Sequence, residues 1–448
     1  MRLMVFLMAT CLSLAAQMVQ ESFAVDPGPL DFIRGDGQEQ IILQMLTGDA
    51  LTGVSASGQP VARLALDWKK RPGGWCFTLR PGVRFADGTP LTPEDVVWTF
   101  REIQNCPRAS LSKRTYLAEV RITAEGDGVR LETPKPLSRL LLELARLPVA
   151  RRQHPGVGSG PFALETQGGT WTLRARPHFL RPRIAGFHFR LIPDGQAILQ
   201  NLRKGWLTLG TVPPRPGLNP PPGYREIHQP THAQLLLFSR LGSAPLKHFE
   251  VWRREAIPDN FFGAQARPSG GLWPESLGFP PCAIQGAPGR GLPSPRWEVC
   301  YAAGDELAGR LLLALRERAR QDGTDLVPVP VEPGLLLERL VRGGFGLACA
   351  MNLFEPHPWS VLDYMEPGGA LNFCRWQHPR YRELAGQLKE PGSPPWAQLQ
   401  ALWASQPGAL PLLDFTSVIW VDRRLEVIPS ALGLYLTTPG PSAWIWTP

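Results

Sequence analysis

From Gly74 to Arg80 apolar and polar residues alternate, which is the two-residue period of a half-buried strand. Pro81-Gly82 then marks a turn, and Val83-Arg84-Phe85 is predicted to return as the second strand of a hairpin. After the turn at 86–90 the period changes to that of a helix. Thr92 suits the N-cap, Pro93 the first helical position, and Asp95 the acidic place of a capping box. Glu94 and Asp95 also complement the positive end of the helix dipole. The carboxylates of Asp87, Glu94 and Asp95 therefore read as turn and cap chemistry, not as a catalytic cluster.

Further along, Leu131 to Val149 is Leu-rich and partly helical by pattern, and Gly156 to Glu165 is a glycine-rich turn leading into a strand. That turn lacks the spacing of a dinucleotide fingerprint and the Lys-Ser/Thr of a Walker loop, so it is read as a tight crossover. Strand 186–192, helix 194–204 and strand 206–212 are predicted as one βαβ unit. A proline linker at 213–223 and a strand at 232–240 follow, then a Gly/Pro-rich loop over 263–296. The chain next alternates strand, helix, strand, helix, strand from 297 to 351, with the first helix ending at Gly323. Such alternation implies an α/β fold with a mainly parallel sheet.

Composition adds three constraints. The 448 residues suggest two or three domains, and 43% hydrophobic content is enough for sizeable cores. The net charge of +8 is scattered among Leu, Pro and Gly instead of forming a stripe or tail, so no nucleic-acid partner is expected. Arg2 followed by an apolar run from Leu3 to Ala16 has the length of an export leader, with small residues at Ala15-Ala16 or at Ser22-Phe23-Ala24 as cleavage candidates. Six cysteines follow it (Cys76, Cys106, Cys282, Cys300, Cys349 and Cys374), which permits disulfides without fixing a pattern. Cys300 and Cys349 sit in apolar strand-like runs and read equally as buried thiols.

No Gly-x-Ser-x-Gly elbow, His-Glu-x-x-His or Cys-x-x-Cys occurs, and His154, His178, His248 and His357 show no helical pairing. No enzyme activity, cofactor or metal is expected. Open α/β sheets take ligands beyond the carboxyl ends of their strands. The last strand of the second α/β block ends near Met351, and the loop after it offers Phe354, Glu355, His357 and Trp359, stiffened by Pro356 and Pro358. Asn372, Phe373, Arg375 and Trp376 follow shortly after. Apolar rings with a few polar groups suit a ligand cleft, so these eight residues are the candidate site.

The stretch Phe77–Phe100, "FTLRPGVRFADGTPLTPEDVVWTF", resembles the signature of the family 5 extracellular solute-binding proteins, the peptide, nickel and oligopeptide receptors of ABC importers. "GSGPFAL" at 158–164 resembles their Gly-Thr-Gly-Pro-Tyr segment. Residues 232–257, 335–362 and 371–388 are similar to later stretches of the family, and the similarity runs from about 45 to about 435. The resemblance implies a two-lobed periplasmic-binding-protein type II fold with an additional mixed α+β domain inserted in the first lobe. On that template 1–24 is a signal peptide, 25–45, 156–240 and 413–448 form lobe I, 46–155 is the extra domain, and 241–412 is lobe II. The implied function is capture of a peptide or similar small solute by hinge closure and delivery to an ABC permease, by a monomer in the periplasm or at the cell surface. A ligand sensor using the same fold without transport is the alternative. Many peptide-binding members hold the ligand's amino terminus with an Asp in a "Trp-x-x-Asp-Tyr-x-x-Pro"-like loop. Here Phe354 falls at or next to that position, and the adjacent Glu355 would supply the charge. The family's "Arg-Val-Arg-Gln-Ala" helix is replaced by a segment broken at Pro258.

Overall fold

The computed structural model describes residues 18–448 apart from 56–58, 213–217, 264–265, 274–276, 278, 285–295, 355–357, 370, 389–394, 428–436, 439–444 and 447–448. Two compact units divide the chain. One comprises 1–213, 217–229 and 418–448, and the other 214–216 and 230–417.

The first unit opens with β1 (Met18–Phe23) and α1 (Gln38–Thr47). A mixed α+β block follows: β2 (Thr52–Ser55), β3 (Pro60–Ala62), β4 (Ala65–Arg71), β5 (Gly74–Leu79), α2 (Pro93–Asn105), α3 (Leu111–Leu117), β6 (Arg121–Glu125), β7 (Gly128–Glu132), α4 (Leu137–Leu144), β8 (Ala150–Arg151) and β9 (His154–Gly158). Its antiparallel sheet runs β4-β5-β7-β6, and Phe77, Phe85, Val96, Phe100, Ile103 and Leu131 lie in one core. The capping box forms as the sequence predicts. The Asp95 carboxylate accepts the Thr92 N–H at 2.9 Å, and its other oxygen accepts the Arg152 N–H at 3.0 Å. The predicted hairpin does not form. Both edges of β5 are taken, by β4 and β7, so 81–90 has no free edge to join. It folds back on itself instead, with the Phe85 N–H on Thr89 O and the Leu91 N–H on Val83 O.

The chain returns to the first unit's main sheet through β10 (Phe162–Gln167), β11 (Thr170–Ala175), β12 (Gly186–Leu191), α5 (Gly195–Arg203) and β13 (Leu209–Val212). The glycine-rich crossover is explained by close backbone approach. The Gly160 N–H donates to Thr47 O at 2.7 Å, and a Cβ on Gly160 would lie 2.5 Å from the Thr47 carbonyl carbon. Strand order is β1-β12-β11-β10. The predicted βαβ unit has the right elements in the wrong partnership. One edge of β12 is filled by β1 in parallel and the other by β11, so β13 pairs elsewhere, on residues 418–421. β1 lies inside the stretch expected to be a signal peptide, and Val19 and Phe23 are fully buried there. Residues 1–17 lie outside the described residues.

The chain enters the second unit along β14 (Tyr224–Ser239), longer than the strand predicted at 232–240. Then come α6 (Ser243–Ala256), which stops just before Pro258, β15 (Ala266–Pro268), β16 (Arg296–Ala302), α7 (Glu306–Gln321), β17 (Asp325–Val331), α8 (Pro333–Arg342) and β18 (Leu347–Leu353). After α9 (Pro379–Gln387) and α10 (Trp396–Ser405), the chain leaves along β19 (Ala409–Asp422). The crossings between units at 229/230 and 417/418 thus occur within strands, β14 and β19. The second unit's sheet runs β19-β14-β18-β16-β17, and β16 is parallel to both β17 and β18, as the alternation of elements predicts. Leu235, Leu237, Trp252, Val299, Leu311, Leu347 and Cys349 share its core. The six described cysteines are free thiols. Cys300 stands opposite Ala348 and Cys349 opposite Tyr301, so the two sulfurs leave opposite faces of the sheet and cannot meet. Among the described residues no helix is long and apolar enough to cross a membrane.

Candidate functional site

The site grows out of unequal pairing on the two edges of β18. On one edge β14 pairs along the whole strand, from Ser239 opposite Leu347 to Ala233 opposite Leu353. On the other, β16 pairs only at Leu347, Ala348 and Cys349. Among the described residues, Ala350–Leu353 therefore has one edge without a strand partner. Antiparallel pairs are hydrogen-bonded alternately. Because the Phe354 N–H donates to His232 O at 2.9 Å, Asn352 and Ala350 also turn their main-chain groups to β14. Met351 and Leu353 consequently direct theirs to the open edge. Their side chains continue the face that buries Leu347 and Cys349, yet Met351 is 55% and Leu353 73% exposed.

The opposite face carries an aromatic group. Phe354 is buried, with its ring 5.1 Å from Tyr364. Phe238 on β14 stacks on Tyr364 at 6.4 Å and meets the edge of Phe373 at 5.3 Å. The Tyr364 hydroxyl donates to Asn352 Oδ1 at 2.9 Å, and Asn352 Nδ2 donates to Ala350 O at 3.1 Å. Burial, reinforced by nearby Asp363, raises the Tyr364 pKa far above its ordinary value, so the phenol remains a neutral donor. This chain of bonds fixes the open-edge segment from behind.

The eight residues named from sequence divide. Phe354 and Phe373 belong to the aromatic group behind β18. Asn372 is buried and internally satisfied: Nδ2 donates to Glu366 O and Trp376 O, and Oδ1 accepts the Trp376 N–H at 2.7 Å. The Trp376 indole donates to Gln406 O at 2.6 Å and its ring packs on Trp403 and Tyr381. Trp359 is buried edge-on against Trp396 at 5.1 Å. Arg375 is exposed, with a left-handed φ of 51°. Glu355 and His357 lie outside the described residues. Sequence reasoning placed the opening just past Met351 but did not single out Met351, Leu353, Asn352, Tyr364 or Phe238. The available signal was apolar residues on both faces of "LACAMNL", an exposed margin running on from a buried strand.

The model described as bacterial extracellular solute-binding proteins, family 5 middle, matches residues 59–257. Protein XP55 of Streptomyces lividans is 33% identical over 156 residues, which cover 31% of this chain and 28% of that relative. The ABC transporter substrate binding protein CtaP of Listeria monocytogenes superposes with a TM-score of 0.78 at 16% identity, covering 97% of this chain and all of that one. The oligopeptide-binding protein AppA of Bacillus subtilis, in complex with a nonapeptide, gives 0.70 at 15% identity, covering 97% and 99%. At these identities the superpositions establish the fold, that of two-lobed periplasmic binding proteins.

Proposed function

We propose, from the premise that this chain is a divergent member of the family 5 extracellular solute-binding proteins, that it captures an extended peptide or similar small solute outside the cytoplasm. The observation that carries the reading is the open edge at Met351 and Leu353, where a ligand main chain can add as one more strand. Phe354, Phe373 and the Asn352–Tyr364 bond hold that edge in place. Glu355, next to the edge in sequence, is the proposed partner for a ligand's amino group, and His357, Trp359, Asn372, Arg375 and Trp376 are proposed as further members of the site. The crossings at 229/230 and 417/418, within β14 and β19, are the proposed hinge for closure on the ligand. The loaded monomer then delivers its solute to an ABC permease.

Native mass spectrometry of protein purified from its host tests the reading and should show a co-purified peptide mass. Leu353→Pro gives a sharper test. Proline removes the main-chain donor on the open edge, while the bonds to β14 belong to neighbouring residues, and edge strands tolerate proline. Peptide affinity should fall by about 2 kcal/mol, roughly thirtyfold, with the melting temperature nearly unchanged. Unaltered affinity in calorimetry would remove the β18 edge from the site.

A further inference from the structure

We infer that the preferred ligand is a peptide carrying apolar side chains at alternate positions, i and i+2, placed beside Met351 and Leu353. The inference rests on the peptide-capture reading above and adds the side-chain pattern to it. Met351 and Leu353 are the residues whose main-chain groups face the open edge. An added strand would set one of its own residues directly across from each, two apart in the ligand sequence. Those ligand side chains would leave the sheet on the same face as Met351 and Leu353, because facing residues of paired strands share a face.

That face is apolar and continuous with the core. Met351 stands opposite Leu235, which is fully buried, and Leu353 opposite Ala233, which is 8% exposed. Two positions back on β18, Cys349 is buried among Leu235, Val299 and Leu347. The core therefore runs out along β18 into two large apolar side chains that water covers. A ligand residue across from each would complete cross-strand apolar pairs and cover them. The intervening ligand residue points to the other face, behind which stand Asn352 and the Tyr364 hydroxyl, so alternation is the readable feature rather than total hydrophobicity.

The test is titration calorimetry of the full chain, stripped of any bound ligand, with two pentapeptides of identical composition, Ala-Leu-Ala-Leu-Ala and Leu-Leu-Ala-Ala-Ala. The alternating peptide should bind about tenfold more tightly. A Leu353→Lys variant, altered at a position exposed enough to spare the fold, should lose about tenfold for the alternating leucine peptide and gain for Ala-Glu-Ala-Glu-Ala. Equal affinity for the two leucine peptides overturns the alternation rule and leaves peptide capture standing. A Leu353→Lys variant that keeps the parent's preference overturns the role of this face. Absence of heat with every peptide overturns both the rule and the peptide reading on which it rests.

Discussion

A chain trimmed to begin at Val25 should fail to fold, while one beginning at Gln17 should melt like the full mature protein. The reason is β1. All six of its residues pair in parallel with β12, from Met18 opposite Gly186 to Phe23 opposite Leu191. On its other side Gln20 exchanges bonds with Thr208: its O accepts the Thr208 N–H at 2.8 Å and its N–H donates to Thr208 Oγ1 at 2.9 Å. The Phe23 ring stacks on Phe189 at 4.2 Å and meets the edge of Trp171 at 5.4 Å. Losing the strand removes two fully buried side chains, each worth about 1.5–3 kcal/mol in burial alone, and opens a sheet edge over Phe189 and Trp171. Against a typical net stability of about 5–15 kcal/mol that loss is prohibitive. If a leader is removed on export, the expected cut is therefore near Ala15-Ala16 and not after Ala24. Intact-mass measurement of the exported protein reads the cut directly, and a well-folded product starting at Val25 would refute the assignment.

Lys113→Met should destabilise the first unit by about 2–3 kcal/mol. Lys113 on α3 is buried, and its ammonium donates to Phe32 O at 2.9 Å, Gly35 O at 3.0 Å and Gln44 Oε1 at 2.9 Å. Gln44 in turn donates to Asp31 O and Gly35 O, and Gln40 to Pro27 O and Pro29 O, so three long side chains hold the 27–35 segment. Methionine keeps the volume and removes the donors, leaving buried acceptors short of partners. Hydrogen bonds to a charged group are worth about 1.5–3 kcal/mol each, reduced here by the desolvation of the ammonium that the variant avoids. That desolvation brings the Lys113 pKa down from 10.5 to about 8. The native state thus sheds this proton at lower pH than the unfolded chain, and the unfolded chain binds more protons between those values. Parental stability should therefore rise relative to the variant from pH 8 to 10.5. Chemical denaturation at pH 7, 8.5 and 10 decides it; a gap that narrows with rising pH would contradict the assignment.

Much of the local structure was legible because its causes are local. Thr92, Pro93 and Asp95 make a helix start within four residues, and the structure forms that cap. The alternation from 297 to 351 gave the parallel α/β block because each helix there carries its own apolar stripe and each strand its own apolar run. Failures came where pairing is non-local. Val83-Arg84-Phe85 has strand-forming residues, but β4 and β7 occupy the edges it would need. β12, α5 and β13 have the pattern of one βαβ unit, but β1 fills the place that β13 would take. The β1 strand itself was hidden because its apolar residues follow closely on the apolar run from Leu3 to Ala16.

For the site the division is similar. Sequence alone determined the resemblance of 77–100 to a family signature and the α/β block from 297 to 351, and it pointed to the residues after Met351 as a candidate site, since these depend on residue type and short-range period. Which edge of β18 stays open was decided by tertiary structure, because β16 stops pairing at Cys349 while β14 continues to Leu353. So was the separation of Asn372 and Trp376, bonded to each other, from Phe354 and Phe373 behind the edge. Edge occupancy is a contest between segments distant in sequence, and no window along one strand contains its competitors.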